Sequence, residues 1–81
     1  MVTVLYFAGL REALGIEQEV FDVPSDVCTV GDLCRHLASR HAAYADRHRH
    51  VRVARNEVFA RDDDRLSDGD VIALIPPVAG G

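Results

Sequence analysis

An α+β fold, with a mixed sheet of about five strands carrying one main helix on one face, is what three features of the 81-residue sequence predict. Residues near both ends, 2–7 and 71–75, are rich in apolar side chains of strand character, and the first run alternates with period two. A single longer segment, 30–43, repeats apolar residues at helical spacing. Between them lie short runs punctuated by Gly, Pro, Asn and Asp, the residues that turn a chain.

In the first strand Val2, Val4 and Tyr6 alternate with Thr3, Leu5 and Phe7. Ala8-Gly9 interrupts it, and 10–15 has length for one helical turn stopped by Gly15. A second strand is expected at 17–23, ended by Pro24, which cannot donate to a ladder. Thr29 is placed to cap a helix, with Asp32 in its positive first turn, and Val30, Leu33, Cys34, Leu37 and Ala38 form the apolar stripe. The polar stretch 42–50 has neither period and reads as a loop or a frayed extension of that helix. Short strands follow at 51–55 and 58–60 around an Asn56-Glu57 turn, then a Ser67-Asp68-Gly69-Asp70 turn and a last strand at 71–75. If the first and last strands are neighbours, Val4, Tyr6, Ile72 and Leu74 point to the helix. Leu5, Phe7, Val71, Ala73 and Ile75 then face outward, with Phe59 joining them, a patch of the kind that marks partner sites.

Composition narrows the function. With 48% hydrophobic and 27% charged residues the chain reads as one folded domain, too small to enclose an active site of its own. The formal charge of −4 argues against nucleic acid as the main partner, and no apolar run approaches the ~20 residues needed to span a bilayer, so no membrane role and a cytoplasmic location are expected. All nine cationic residues are Arg, so no side-chain amine is present to accept an isopeptide bond. Cys28 and Cys34 fit neither a zinc nor a redox spacing.

The sequence closes on Pro76-Pro77-Val78-Ala79-Gly80-Gly81. Two glycines pack nothing and add ordering entropy, which gives little reason to end a fold this way. Without Cβ atoms they suit a slot that admits only backbone, so 1–75 reads as the domain and 76–81 as a tail presenting the Gly81 carboxylate. The prolines stiffen its start, and residues 76–81 extended at roughly 3.3–3.6 Å each reach about 20 Å.

These residues resemble a known family, the small subunit of molybdopterin synthase, a ubiquitin-like β-grasp sulfur carrier. Similar stretches are Val4-Leu5-Tyr6-Phe7-Ala8 with Leu10-Arg11-Glu12, the helix start at 29–33, Asn56-Glu57, Leu66-Ser67-Asp68-Gly69-Asp70 and, most specifically, Ile75 to Gly81. The resemblance implies that an E1-like adenylating enzyme uses ATP to adenylate Gly81, that a sulfur donor protein converts it to a thiocarboxylate, and that no cofactor is bound permanently. It implies further that the tail threads into the large subunit, in a two-plus-two heterotetramer, where sulfur passes to cyclic pyranopterin monophosphate. That subunit would supply the acid and base groups. Phe7, Phe59 and Ile75 are the positions implied for partner docking. Arg55 departs from the family, which usually carries an apolar residue there. A thiamine-pathway carrier serving thiazole synthase and a ubiquitin-like protein modifier share the Gly-Gly chemistry and stay open.

The remaining clusters read as surface. His36, His41, His48 and His50 match no metal template, Arg47, Arg49, Arg52 and Arg55 read as a solvated face with an acidic partner or a pterin phosphate as alternatives, and Asp62-Asp63-Asp64 lacks the other ligands of a calcium loop. Cys34 reads as a small core residue and Cys28 as partly exposed.

Overall fold

The computed structural model describes residues 1–77; Val78, Ala79, Gly80 and Gly81 lie outside the described residues. Five strands form one mixed sheet: β1 (Val2–Tyr6), β2 (Gln18–Phe21), β3 (Arg52–Arg55), β4 (Val58–Phe59) and β5 (Val71–Ile75), in the spatial order β2-β1-β5-β3-β4. β1 and β5 run parallel at the centre, Val4 beside Ile72 and Tyr6 beside Leu74, and the other pairings are antiparallel. Because side chains alternate along a strand, this register sends one parity to each face. Val2, Val4, Tyr6, Ile72 and Leu74 are all buried, as their alternation predicts.

The helix α2 (Val30–Arg40) covers that face with Leu33 and Leu37. Its start is a reciprocal capping box, in which Thr29 Oγ1 accepts from Asp32 N at 3.1 Å and Asp32 Oδ2 accepts from Thr29 N at 3.2 Å. Gly31 sits at a close approach, since a Cβ there would lie 3.1 Å from both Cβ and O of Asp62 and would push that residue back by a few tenths of an ångström.

Four elements differ from expectation. The 10–15 turn is part of a longer helix, α1 (Ala8–Leu14), because Leu10 is completely buried and anchors it before Gly15 ends it at φ 74°. The main helix stops at Arg40 rather than 43, since His41 is extended. The expected loop then folds into α3 (Ala42–Arg47) and a single 3-10 turn (His48–His50), held by Tyr44, which is 2% exposed and joins the core. β2 is shorter than 17–23, and Val20 on it is exposed.

Two polar knots close the sheet. Tyr6 Oη donates to Glu19 Oε1 at 2.6 Å, and His41 Nε2 lies 2.7 Å from the same oxygen. Burial pushes the Tyr6 hydroxyl up and its bond to Glu19 adds to the shift. Burial alone would raise Glu19, but the bonds from Tyr6 and His41 and the nearby charges of His41 and Arg40 outweigh it, leaving the carboxyl below its usual value. The second knot centres on Asp70, 5% exposed. It accepts from Ser67 N at 2.7 Å, Asn56 Nδ2 at 2.9 Å and Arg55 Nη1 at 3.3 Å. Asn56 Oδ1 in turn accepts from Val71 N at 2.9 Å, tying the β3–β4 turn to the start of β5.

Burial opposes the Asp70 charge, yet the bonds from Ser67, Asn56 and Arg55 prevail and hold its carboxyl below the ordinary 3.8. A depressed folded value stabilises above the unfolded value and is lost as pH falls through the folded one. Asp70→Asn sets an amide against two donors and is expected to cost about 2–3 kcal/mol at pH 7. Thermal melts should show a fall of roughly 10–20 °C. The gap from the parent should stay constant above about pH 5 and close as the parent's carboxyl protonates at lower pH.

Candidate functional site

The uncovered face of the sheet carries the other parity. Leu5, Phe7, Val71, Ala73 and Ile75 all lie on it, and β4 adds Phe59. Together they line an open, mainly apolar groove of about 350 Å³ with Ala54 and Glu57. Phe7 is 41% and Phe59 57% exposed, large aromatic surfaces left in water.

Local structure fixes each of these side chains. Phe7 is the last extended residue before α1, and its carbonyl accepts from both Leu10 N and Arg11 N at 3.2 Å. Ile75 closes β5, paired with Arg52. Phe59 sits after a two-residue turn in which Asn56 (φ 51°) and Glu57 (φ 73°) are both left-handed, the backbone that matches hairpin twist. The Phe59–Ala54 pairing leaves Ala54 beneath the ring and only 6% exposed. The Arg52 guanidinium stacks over Phe59, 4.0 Å from the ring centroid, close enough for a cation–π attraction.

The structure therefore places Phe7, Phe59 and Ile75 in one groove, and Pro76 and Pro77 directly after it. Val78, Ala79, Gly80 and Gly81, expected to thread a partner, lie outside the described residues. Alternation in the sequence does not reveal the parts played by Ala54 and Arg52, since neither residue type announces a face. Asn56-Glu57 was the only local signal that β4 would return Phe59 to the same side.

The other clusters stay apart. A second cavity, of about 400 Å³, lies on the helix side of the sheet, where Cys34, Tyr44, Arg49 and Asp62 meet. Burial raises the Cys34 thiol, which disfavours the nucleophilic thiolate. Of the four histidines, His41 is bound to Glu19 and His36 packs edge-on against Phe21 at 5.9 Å, so these two are not solvated surface groups. Arg55, the departure from the family pattern, is half-buried and pairs with Asp70. Among the described residues no three His, Cys, Asp or Glu side chains converge as a metal site, and no helix is long and apolar enough to cross a membrane.

Comparison with known proteins agrees with this arrangement. Residues 4–81 match the ThiS family. The chain belongs to that family. The molybdopterin synthase sulfur carrier subunit of Chlamydomonas reinhardtii is 34% identical over 82 residues, covering 99% of this chain and 98% of the relative. Among solved structures, SAMP1 of Haloferax volcanii, a small archaeal modifier protein, superimposes with TM-score 0.82 at 33% identity, covering 99% of this chain and 98% of that one. A Helicobacter pylori chain in a complex of subunits 1 and 2 of molybdopterin-converting factor matches with TM-score 0.71 at 26% identity, over 99% and 97% of the two chains. The ubiquitin-like β-grasp fold and the resemblance to molybdopterin synthase small subunits both hold.

Replacing the exposed ring by a charge tests the groove. Phe59→Asp is expected to weaken binding to a partner that covers this face by about 1.5–3 kcal/mol. Calorimetric titration should show that loss, while the melting temperature of the isolated domain stays within a few degrees; full affinity would remove Phe59 from the contact.

Proposed function

We propose that the chain is the sulfur carrier subunit of molybdopterin synthase, working through its terminal glycine. The observation that carries this reading is the apolar groove of Leu5, Phe7, Phe59, Ala73 and Ile75, which leads directly into Pro76-Pro77 and the Gly-Gly sequence. The curated relative of the same length and the neighbour found with a second subunit support it.

The domain docks by the groove, and the tail carries the Gly81 carboxylate into the partner. In an E1-like enzyme a carboxylate oxygen attacks the α-phosphorus of ATP, pyrophosphate leaves, and an acyl adenylate forms. The terminal sulfur of a donor-protein persulfide then attacks the acyl carbon and AMP leaves, and a neighbouring donor thiol cleaves the S–S bond of the resulting acyl persulfide, forming a disulfide in the donor and releasing the Gly81 thiocarboxylate. After the carrier redocks on the large subunit, the thiocarboxylate sulfur attacks an oxygen-bearing carbon of the pterin precursor, whose C–O bond breaks as the oxygen leaves; water then cleaves the acyl carbon–sulfur bond, leaving the sulfur on the pterin and returning Gly81 to a carboxylate. Two such transfers supply the two sulfurs of a dithiolene. This chain contributes positioning and the reactive terminus, and the large subunit contributes the acid and base groups, in a two-plus-two assembly.

A second reading, a modifier that joins Gly81 to a lysine of another protein, is favoured by the likeness to the archaeal modifier. The two diverge in product.

Intact mass spectrometry after incubation with ATP, the activating enzyme and a sulfur donor should show one terminal oxygen replaced by sulfur, and deletion of Gly81 should abolish this without lowering the melting temperature. An unchanged mass with an activating enzyme proven competent on another carrier would sink the carrier reading. Conjugates of high mass in cell extract, with no transfer to the pterin precursor, would favour the modifier.

A further inference from the structure

The run Arg47-His48-Arg49-His50, with Arg52 after it, is a concentration of positive charge in a chain of net charge −4. The fold divides it between two sides. His48 and Arg49 border the helix-side cavity with Arg35 and Asp62. Arg47 and His50 instead wall a different groove, of about 320 Å³, whose other walls include Ala8, Leu10, Pro76 and Pro77. That groove is the root of the tail. Arg52, whose backbone is in register with Ile75 just before the tail root, adds a guanidinium on the outer face, where it stacks on Phe59. Among the described residues no carboxylate forms a salt bridge with Arg47 or Arg52, and the one hydrogen bond Arg47 donates goes to Ala43 O at 2.9 Å. The helix-side Arg35, by contrast, pairs with Asp32.

We propose that Arg47 and Arg52, with His50 beside them, form a cationic rim around the tail root that pairs with carboxylates set at the mouth of the partner's slot. The proposal rests on the docking reading above and specifies the chemistry of the surface that receives this chain. Three points favour an acidic protein surface. The rim is continuous with the apolar groove, so whatever covers Phe59 also meets Arg52. A nucleic acid carries charge along its whole length and would meet the negative remainder of the domain as well as the rim, whereas carboxylates confined to the slot mouth meet the rim alone. A phosphate of ATP or of a pterin would react at Gly81, four residues along the chain from Pro77, whereas Arg47 walls the groove at Pro76 and Pro77.

Charges at an interface rim act chiefly on encounter rate and salt dependence. The test measures association kinetics with the purified large synthase subunit from the same organism at two ionic strengths. Arg47→Glu is expected to slow association about tenfold at low salt and to flatten its salt dependence, with Arg52→Gln smaller in the same direction. Arg49→Glu makes the same change in net charge on the helix side and should leave the rate within about twofold. Melting curves of all three should overlay the parent. An unchanged rate and salt slope for Arg47→Glu, or an equal loss from Arg49→Glu, overturns the rim. If Phe59→Asp still weakens binding in that case, the docking face stands without the rim. If Phe59→Asp also binds normally, the docking face fails as well.

Discussion

The parallel pairing of β1 with β5, which sets Val4 beside Ile72 and Tyr6 beside Leu74, is the contact from which both the core and the outer groove follow. With period-two alternation, one register assigns ten side chains at once. Those turned inward meet Leu33 and Leu37 of α2, and those turned outward leave Leu5, Phe7, Ala73 and Ile75 in water. A slip of one residue would bury the groove residues against the helix and expose the core. The register also determines where the chain leaves the sheet, since Pro76 must follow Ile75 at the end of a central strand.

That dependence explains the polar knots. Thr3 N donates to Asp70 O at 3.0 Å and Gly69 N to Met1 O at 2.7 Å, so the turn before β5 is locked against the start of β1. Asp70 collects donors from the turn before β5, from the end of β3 and from the β3–β4 turn, joining these segments through one carboxylate. At the other end of β1, Glu19 joins Tyr6 to His41, so that the sheet and the α2–α3 corner are fixed together. Buried groups of this kind are tolerable because they are satisfied; among the described residues no buried side-chain nitrogen or oxygen lacks a partner.

What could be read in the sequence was what alternation and capping encode. The parity of 2–7 and 71–75 placed Phe7 and Ile75 on one face, and Thr29 with Asp32 marked the start of α2. The segment 42–50 concealed a helix because its single large apolar anchor, Tyr44, creates no period among arginines and histidines. α1 was underestimated for the same reason, since Leu10 is its single fully buried side chain, with Leu14 only partly buried beside the core. Asp70 looked like an ordinary turn residue, as an acid in Asp-Gly-Asp gives no sign of burial. Phe59 could be joined to that face only through the Asn56-Glu57 turn, and its docking role came from the resemblance, because a two-residue strand has no alternation to read. The groove's floor at Ala54 and the stacked Arg52 are consequences of cross-strand pairing, which lies outside local sequence.

The brevity of β4 has its own consequence. A domain that keeps aromatic surface in water and ends its sheet in an open edge is at risk of adding a second copy strand by strand. Here the edge beside the groove offers only Val58 and Phe59, reached by a tight turn, and a guanidinium covers one face of the ring. Two residues are too few to template an intermolecular ladder, and the bound cation repels the same surface of another copy. The groove can therefore keep its aromatic surface in water while its flanking edge offers a second copy little backbone to extend.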